Sequence, residues 1–310
     1  MKNPSIHIVL TALLIVGVVS FISFEARSSR GQSPTTPSPT AKNESLVQPT
    51  VMAVDRPAPE AVPTGPFAGA AAQNALLRND LTWQFGSKQQ HGWYLYDLLI
   101  GRTLNNSSDP GTADFALSIS GWQKTRGLSS NGVLDENSFM ALVAQWQANR
   151  LKDKTPATQD QLLTAPTSDF YDPERRDDLR QVEKNTYAAY RRMLAAAIAD
   201  PTLKLAHTSP TDLAPTERYF KIVSAFRSKE YQEELRRKSP NAGSAGLAMN
   251  SPHFTGRALD LYVGGDPVDT KDANRAIQVN TPVYKWLVQN AERFGFRPYF
   301  YEPWHWEYVK

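Results

Sequence analysis

Two short motifs set the strongest constraint on how this chain can fold. Ser251-Pro-His253-Phe-Thr-Gly256-Arg-Ala258-Leu-Asp260 is answered about forty residues later by Glu302-Pro-Trp-His305, and together they hold two of only five histidines. Two imidazoles and two carboxylates have the composition of a catalytic zinc site: three N or O ligands, a fourth position open to water, and a carboxylate to manage that water's protons. His253, Asp260 and His305 fit the ligand roles, and Glu302 fits the base. They can share one ion only if the fold brings both motifs together.

The local patterns agree with such a site. Ala258-Leu-Asp260-Leu-Tyr-Val263 alternates like a strand, placing Leu259, Leu261 and Val263 on one side and Asp260 on the other with Ala258 and Tyr262. An inward acid needs a partner, and His253 can return its ring toward Asp260 because Gly256 lets the backbone turn between them. Taken singly each residue has a plainer reading, Asp260 as a salt-bridged carboxylate and His253 as a satisfied surface histidine. Tyr219 to Phe226 has the content of a strand that ends at Arg227, whose planar fork suits a peptide carboxylate or a developing oxyanion, although a surface ion pair would also explain it. Ser228 can then cap a helix through Lys238. Thr281-Pro282 opens a further helix that Gly295 ends, and the chain closes on a strand whose aromatic residues wall His305. Two carboxylates compete for the base role: Glu307 shares the strand face of His305, whereas Glu302 precedes it across a proline-bent segment. Spacing leaves that choice open, and Glu307 could instead orient a ligand imidazole.

The amino end is organised differently. Ile6 to Phe24 is apolar over about the length of a bilayer core, and Phe24-Glu25-Ala26-Arg27 lacks a small-x-small cleavage site, so residues 1–27 read as an uncleaved signal anchor. Residues 28–73, rich in Pro, Ser, Thr and Ala, read as a disordered extended linker. Residues 74–152 read as a small helical unit in which Asn131-Gly132 turns and Asp135 caps a helix carrying Phe139, Leu142, Val143 and Trp146. A polar stretch separates it from a unit at 168–310, where Leu179, Val182, Tyr187, Tyr190, Leu194 and Ile198 predict one long helix stopped by Asp200-Pro201. The absence of cysteine excludes disulfides, thiolate ligands, a cysteine nucleophile and a cysteine-linked lipid. A net charge of +3 spread over scattered Lys and Arg argues against nucleic acid, while a mildly basic surface suits an anionic polymer.

Two resemblances add to this reading. Trp122-Gln123-Lys-Thr-Arg-Gly127-Leu128, then Asn131-Gly132-Val133-Leu134-Asp135 and the helix ending Trp146-Gln147, resembles the peptidoglycan-binding domain of bacterial wall hydrolases over about seventy residues. The two histidine motifs, preceded by Phe226-Arg227-Ser228 and Tyr231-Gln232, resemble the zinc D-alanyl-D-alanine carboxypeptidases of the VanY type over about residues 170 to 310. That second resemblance implies an α+β fold of the LAS/hedgehog-like kind, a small antiparallel sheet with flanking helices, here preceded by the helical unit. It implies one Zn2+ on His253, Asp260 and His305, with Glu302 rather than Glu307 as the base. It also implies Arg227 steadying substrate or oxyanion, with Ser251 and Gln232 on the substrate side; Phe226 stands where tyrosine is common. The implied reaction removes the terminal D-Ala from D-Ala-D-Ala stems of peptidoglycan. The chain is expected to act as a monomer on the periplasmic or extracytoplasmic side of the cell envelope, held by the inner-membrane anchor or secreted. An endopeptidase of the same zinc class and a non-catalytic wall-binding protein with a structural zinc stay open as alternatives.

Overall fold

The computed structural model describes residues 65–238 and 250–310. The expected anchor and all but the last residues of the expected linker lie outside the described residues. Among those described, no helix is long and apolar enough to cross a membrane.

Helix α1 (Ala68–Asp80) starts inside the stretch that composition assigns to the linker. The cause is local, since Ala68-Gly-Ala-Ala-Ala is rich in the residue with the strongest helix propensity. The helix is tied down by buried Asn74, whose amide donates to the Gly132 carbonyl at 2.9 Å and whose oxygen accepts from Leu134 N at 2.8 Å. A hairpin of β1 (Thr82–Phe85) and β2 (Lys88–His91) follows, in a region that the helical periodicity left without strands. Then come α2 (Asp97–Leu104), α3 (Ala113–Thr125) and α4 (Glu136–Ala148). Asp135 caps α4 as expected, accepting from Ser138 N at 2.8 Å. The Gln and Asn-Gly-Val signatures prove to be one architectural device. Gln123 donates to the Val133 carbonyl and Ser138 Oγ, both at 2.9 Å, and accepts from Gly132 N at 2.9 Å, pinning the loop between α3 and α4.

The second half begins with β3 (Leu162–Thr164), which pairs antiparallel with β4 (Gln181–Glu183) ahead of α5 (Lys184–Ile198). The helix expected from Leu179 is therefore shorter: Leu179 closes a 3-10 turn and Val182 lies in a strand. The Glu183 carboxylate accepts from Asn185 N and Thr186 N, and this cap fixes where α5 starts. A small hairpin, β5 (His207–Ser209) with β6 (Asp212–Leu213), leads to β7 (Ile222–Ser224) and α6 (Lys229–Lys238), and the Ser228 hydroxyl accepts from Tyr231 N as a cap. After β8 (Ala258–Leu261) come α7 (Asp272–Asn280), α8 (Pro282–Asn290), β9 (Phe296–Pro298) and β10 (His305–Tyr308). The helix expected from Thr281 to Gly295 is α8 continued by a 3-10 turn to Phe294.

The fold is α+β, as expected. Its central sheet has the order β7-β8-β10-β9 with every neighbour antiparallel. One hydrophobic core runs from Trp83, Trp93 and Phe139 in the helical half to Leu259, Leu287 and Trp306 in the second. Phe300, two positions before Glu302, lies 5.0 Å from Phe85, 5.5 Å from Tyr96 and 5.9 Å from Trp146 between ring centroids. Helical-half aromatics thus support the segment that carries Glu302.

Candidate metal centre

Strand register assembles the site. In the sheet Asp260 stands directly opposite His305 on one side and Ser224 on the other, and residues directly opposite in an antiparallel pair project to the same face. His253 arrives on a 3-10 turn, Pro252–Thr255, whose amino end is capped by Ser251 Oγ accepting from His253 N at 3.3 Å. Gly256 lets the chain leave that turn at φ 65°, and a Cβ there would stand 2.9 Å from Glu183 N. Sequence distance is thereby overcome: one donor atom each from His253, Asp260 and His305 lies within 4.8 Å of the others.

The contacts fix which atoms face inward. His253 Nδ1 sits 2.6 Å from the Ala225 carbonyl, and since a carbonyl only accepts, Nδ1 carries the hydrogen and Nε2 a lone pair. That lone pair points at Asp260 Oδ1, 3.3 Å away. His305 Nδ1 lies 2.9 Å from the same oxygen, while its Nε2 donates to Glu307 Oε1 at 3.2 Å. Tetrahedral ligands about 2.0–2.1 Å from zinc stand roughly 3.3 Å apart, so these separations match one shared ion. Arg227 holds the other carboxylate oxygen, with Nη2 donating to Asp260 Oδ2 at 2.7 Å and Nε to Ser224 Oγ at 2.9 Å.

Electrostatics point the same way. Burial, reinforced by the Arg227 charge, pushes the His253 imidazole down to about 4, so it stays neutral at physiological pH. Burial alone would raise the Asp260 carboxyl, but the His253 and His305 rings and Arg227 overcome it and hold the group well below its ordinary value. A neutral nitrogen lone pair therefore meets an anionic oxygen in a dry interior, an arrangement that calls for a cation between them. The residues present fit a zinc ion, and both ligand imidazoles have their outer N–H committed to an acceptor, as metal-bound histidines require.

The two competing glutamates separate clearly. Glu302 Oε2 is 4.0 Å from His305 Nδ1, on the inward side of the ring and beyond hydrogen-bond reach. Burial, with the Asp260 charge adding to it, outweighs the nearby cations and pushes its carboxyl up to about 7, which suits a group that takes and returns protons near neutrality. Glu307 lies on the opposite edge of His305, fully buried and bonded to Arg150 and to Leu151 N. It orients the ring. Ser251 is buried beside His253 as the cap described above, and Gln232 is buried on α6. Three partners escape the sequence reading: the Ala225 carbonyl, Ser224 and Arg150. Ser224 precedes Arg227 by three positions, a spacing that gains meaning only from the sheet register. Arg150 is 157 residues from Glu307, and no sequence pattern links them.

Residues 179–310 match the family described as VanY, D-alanyl-D-alanine carboxypeptidase, and the matched stretch contains every candidate site residue. Among solved structures, the LdcB LD-carboxypeptidase, in work on peptidoglycan recognition, shares 22% identity at a TM-score of 0.35, covering 51% of this chain and 71% of that one. VanYB in complex with D-alanine-D-alanine shares 23% identity at a TM-score of 0.27, covering 42% and 72%. A mutant of the vancomycin-resistance D,D-pentapeptidase VanY in complex with Zn(II) shares 20% identity at a TM-score of 0.30, covering 53% and 89%. No curated protein matches the chain.

Proposed function

With residues 179–310 forming a VanY-type D-alanyl-D-alanine carboxypeptidase domain, we propose that this chain is a zinc-dependent peptidase that removes the terminal D-alanine from D-Ala-D-Ala stems of peptidoglycan. The observation that carries the reading is the inward triangle of His253 Nε2, Asp260 Oδ1 and His305 Nδ1, in which a nitrogen lone pair faces a carboxylate oxygen. Zinc held there would supply Lewis acidity, activating water near neutral pH and polarising a carbonyl.

The chain's own residues do the rest. Glu302 takes the proton of the attacking water and returns one to the leaving amine. Arg227 has five donors, of which two go to Ser224 and Asp260, so the guanidinium that fixes the ligand can also steady the substrate carboxylate or the developing oxyanion. Ser251 and Gln232 complete the substrate side, and aromatic side chains around His305 exclude bulk water. The site acts outside the cytoplasm, where its substrate lies. The helical half holds the wall polymer, and the apolar segment near the amino end anchors a monomer to the membrane through the linker.

Digestion of defined pentapeptide muropeptides tests the assignment. Release of D-alanine is the expected product. Two peptide fragments would instead make the chain an endopeptidase, and zinc content without any hydrolysis would make the ion structural.

A further inference from the structure

We infer that Arg150, at the end of the helical half, is a positioning residue of the metal centre that acts on His305 through Glu307 and Tyr299. This rests on the zinc reading above and extends it to a residue outside the family match.

The Glu307 carboxylate is completely buried, and among the described residues its hydrogen-bond partners come from two places. From the helical side Arg150 donates to Oε1 through Nε at 3.0 Å and also through Nη2, and Leu151 N donates to Oε2 at 2.9 Å. From the metal side His305 Nε2 donates to Oε1 at 3.2 Å. A ligand imidazole is aimed by whatever its outer N–H donates to, and that acceptor must itself be held. Here the holder is the Arg150-Leu151 pair.

A second path runs through an aromatic ring. The Arg150 guanidinium lies 3.9 Å above the Tyr299 ring, and that ring meets the His305 imidazole edge-on with centroids 5.8 Å apart. Tyr299 N also donates to the His305 carbonyl at 3.0 Å. Arg150 is in turn fixed to α4, because Nη1 donates to Gln147 Oε1 at 3.0 Å. His305 is thus braced by a carboxylate and by a ring, and one guanidinium sets both.

A purely structural role for Arg150, joining two halves of the fold, would leave ion affinity unchanged in any variant that folds. The positioning role predicts a different result. Zinc affinity of the full chain, measured by competition with a chelator, should fall about 10- to 100-fold in Arg150→Ala. Arg150→Lys, which keeps the charge and loses the fork, should lie between that variant and wild type and decides the matter if Arg150→Ala does not fold. Cobalt(II) absorption should shift in the same order, because its bands report how the ligands are arranged. Folded variants with wild-type affinity and wild-type cobalt bands would overturn the inference. A wild-type chain that takes up no zinc would overturn the metal reading itself, a result distinct from variants that bind as wild type does.

Discussion

Each ring nitrogen of His305 faces a carboxylate, Asp260 at 2.9 Å and Glu307 at 3.2 Å. Burial disfavours the charged ring, but these bonds and charges prevail and push the imidazole up to about 9, so the metal-free protein carries a proton on it at neutral pH. A zinc ion bound as proposed would compete with that proton for Nδ1. Affinity should therefore rise roughly tenfold per pH unit as pH increases toward about 9 and level off above it. Calorimetric titration at pH 7 in two buffers of different ionisation heat should return close to one proton released per zinc, and no release would contradict the assignment. Glu302→Gln should keep its zinc while D-alanine release falls roughly 100- to 10,000-fold. Loss of the ion would instead make Glu302 a ligand. Residue type made the cluster of His253, Asp260 and His305 legible as a group that could hold a metal, because few side chains bind zinc and the chain has few histidines. The choice between Glu302 and Glu307 depends on which edge of one ring each occupies, and only tertiary structure defines that.

Elements position these groups through register and turns, and the turn at Gly256 is sensitive to substitution. A Cβ there meets both Glu183 N and Leu162 Cδ2 at 2.9 Å on a backbone already at positive φ. Gly256→Ala should destabilise the fold by more than about 1 kcal/mol in denaturant titration and weaken zinc binding, since the strained turn carries His253. Unchanged stability would show that the turn relaxes freely. The alternation of β8 was legible because a half-buried strand repeats every two residues. The start of α5 was not, because a short strand such as β4 can continue a helical stripe by chance and only the Glu183 cap separates them. The β1–β2 hairpin was equally hidden, since Lys88-Gln-Gln-His91 has none of the β-branched content that marks a strand.

At the scale of the molecule the helical half and the second half share one core, joined through Phe300 and the buried Arg150–Glu307 pair. Separating them would strip aromatic contacts from the Glu302 segment and leave a buried carboxylate without its cation, a loss of about 3–5 kcal/mol for the pair alone. Scanning calorimetry of the metal-free chain should show a single cooperative transition for the folded part. Two well-separated transitions would show that the halves are energetically independent. Composition marks the polar stretch after Leu151 but cannot register that a core continues beneath it, because that continuity is made of contacts between distant residues.

In the proposed mechanism one zinc ion held by His253, Asp260 and His305 drives hydrolysis of the stem peptide. Stripping the full chain with a chelator and adding zinc back stepwise, while following D-alanine release from a pentapeptide muropeptide, tests it most directly. Activity should vanish on stripping and return in full at one equivalent of zinc. Release that ignores the chelator, or a stripped chain that takes up no zinc, would contradict it.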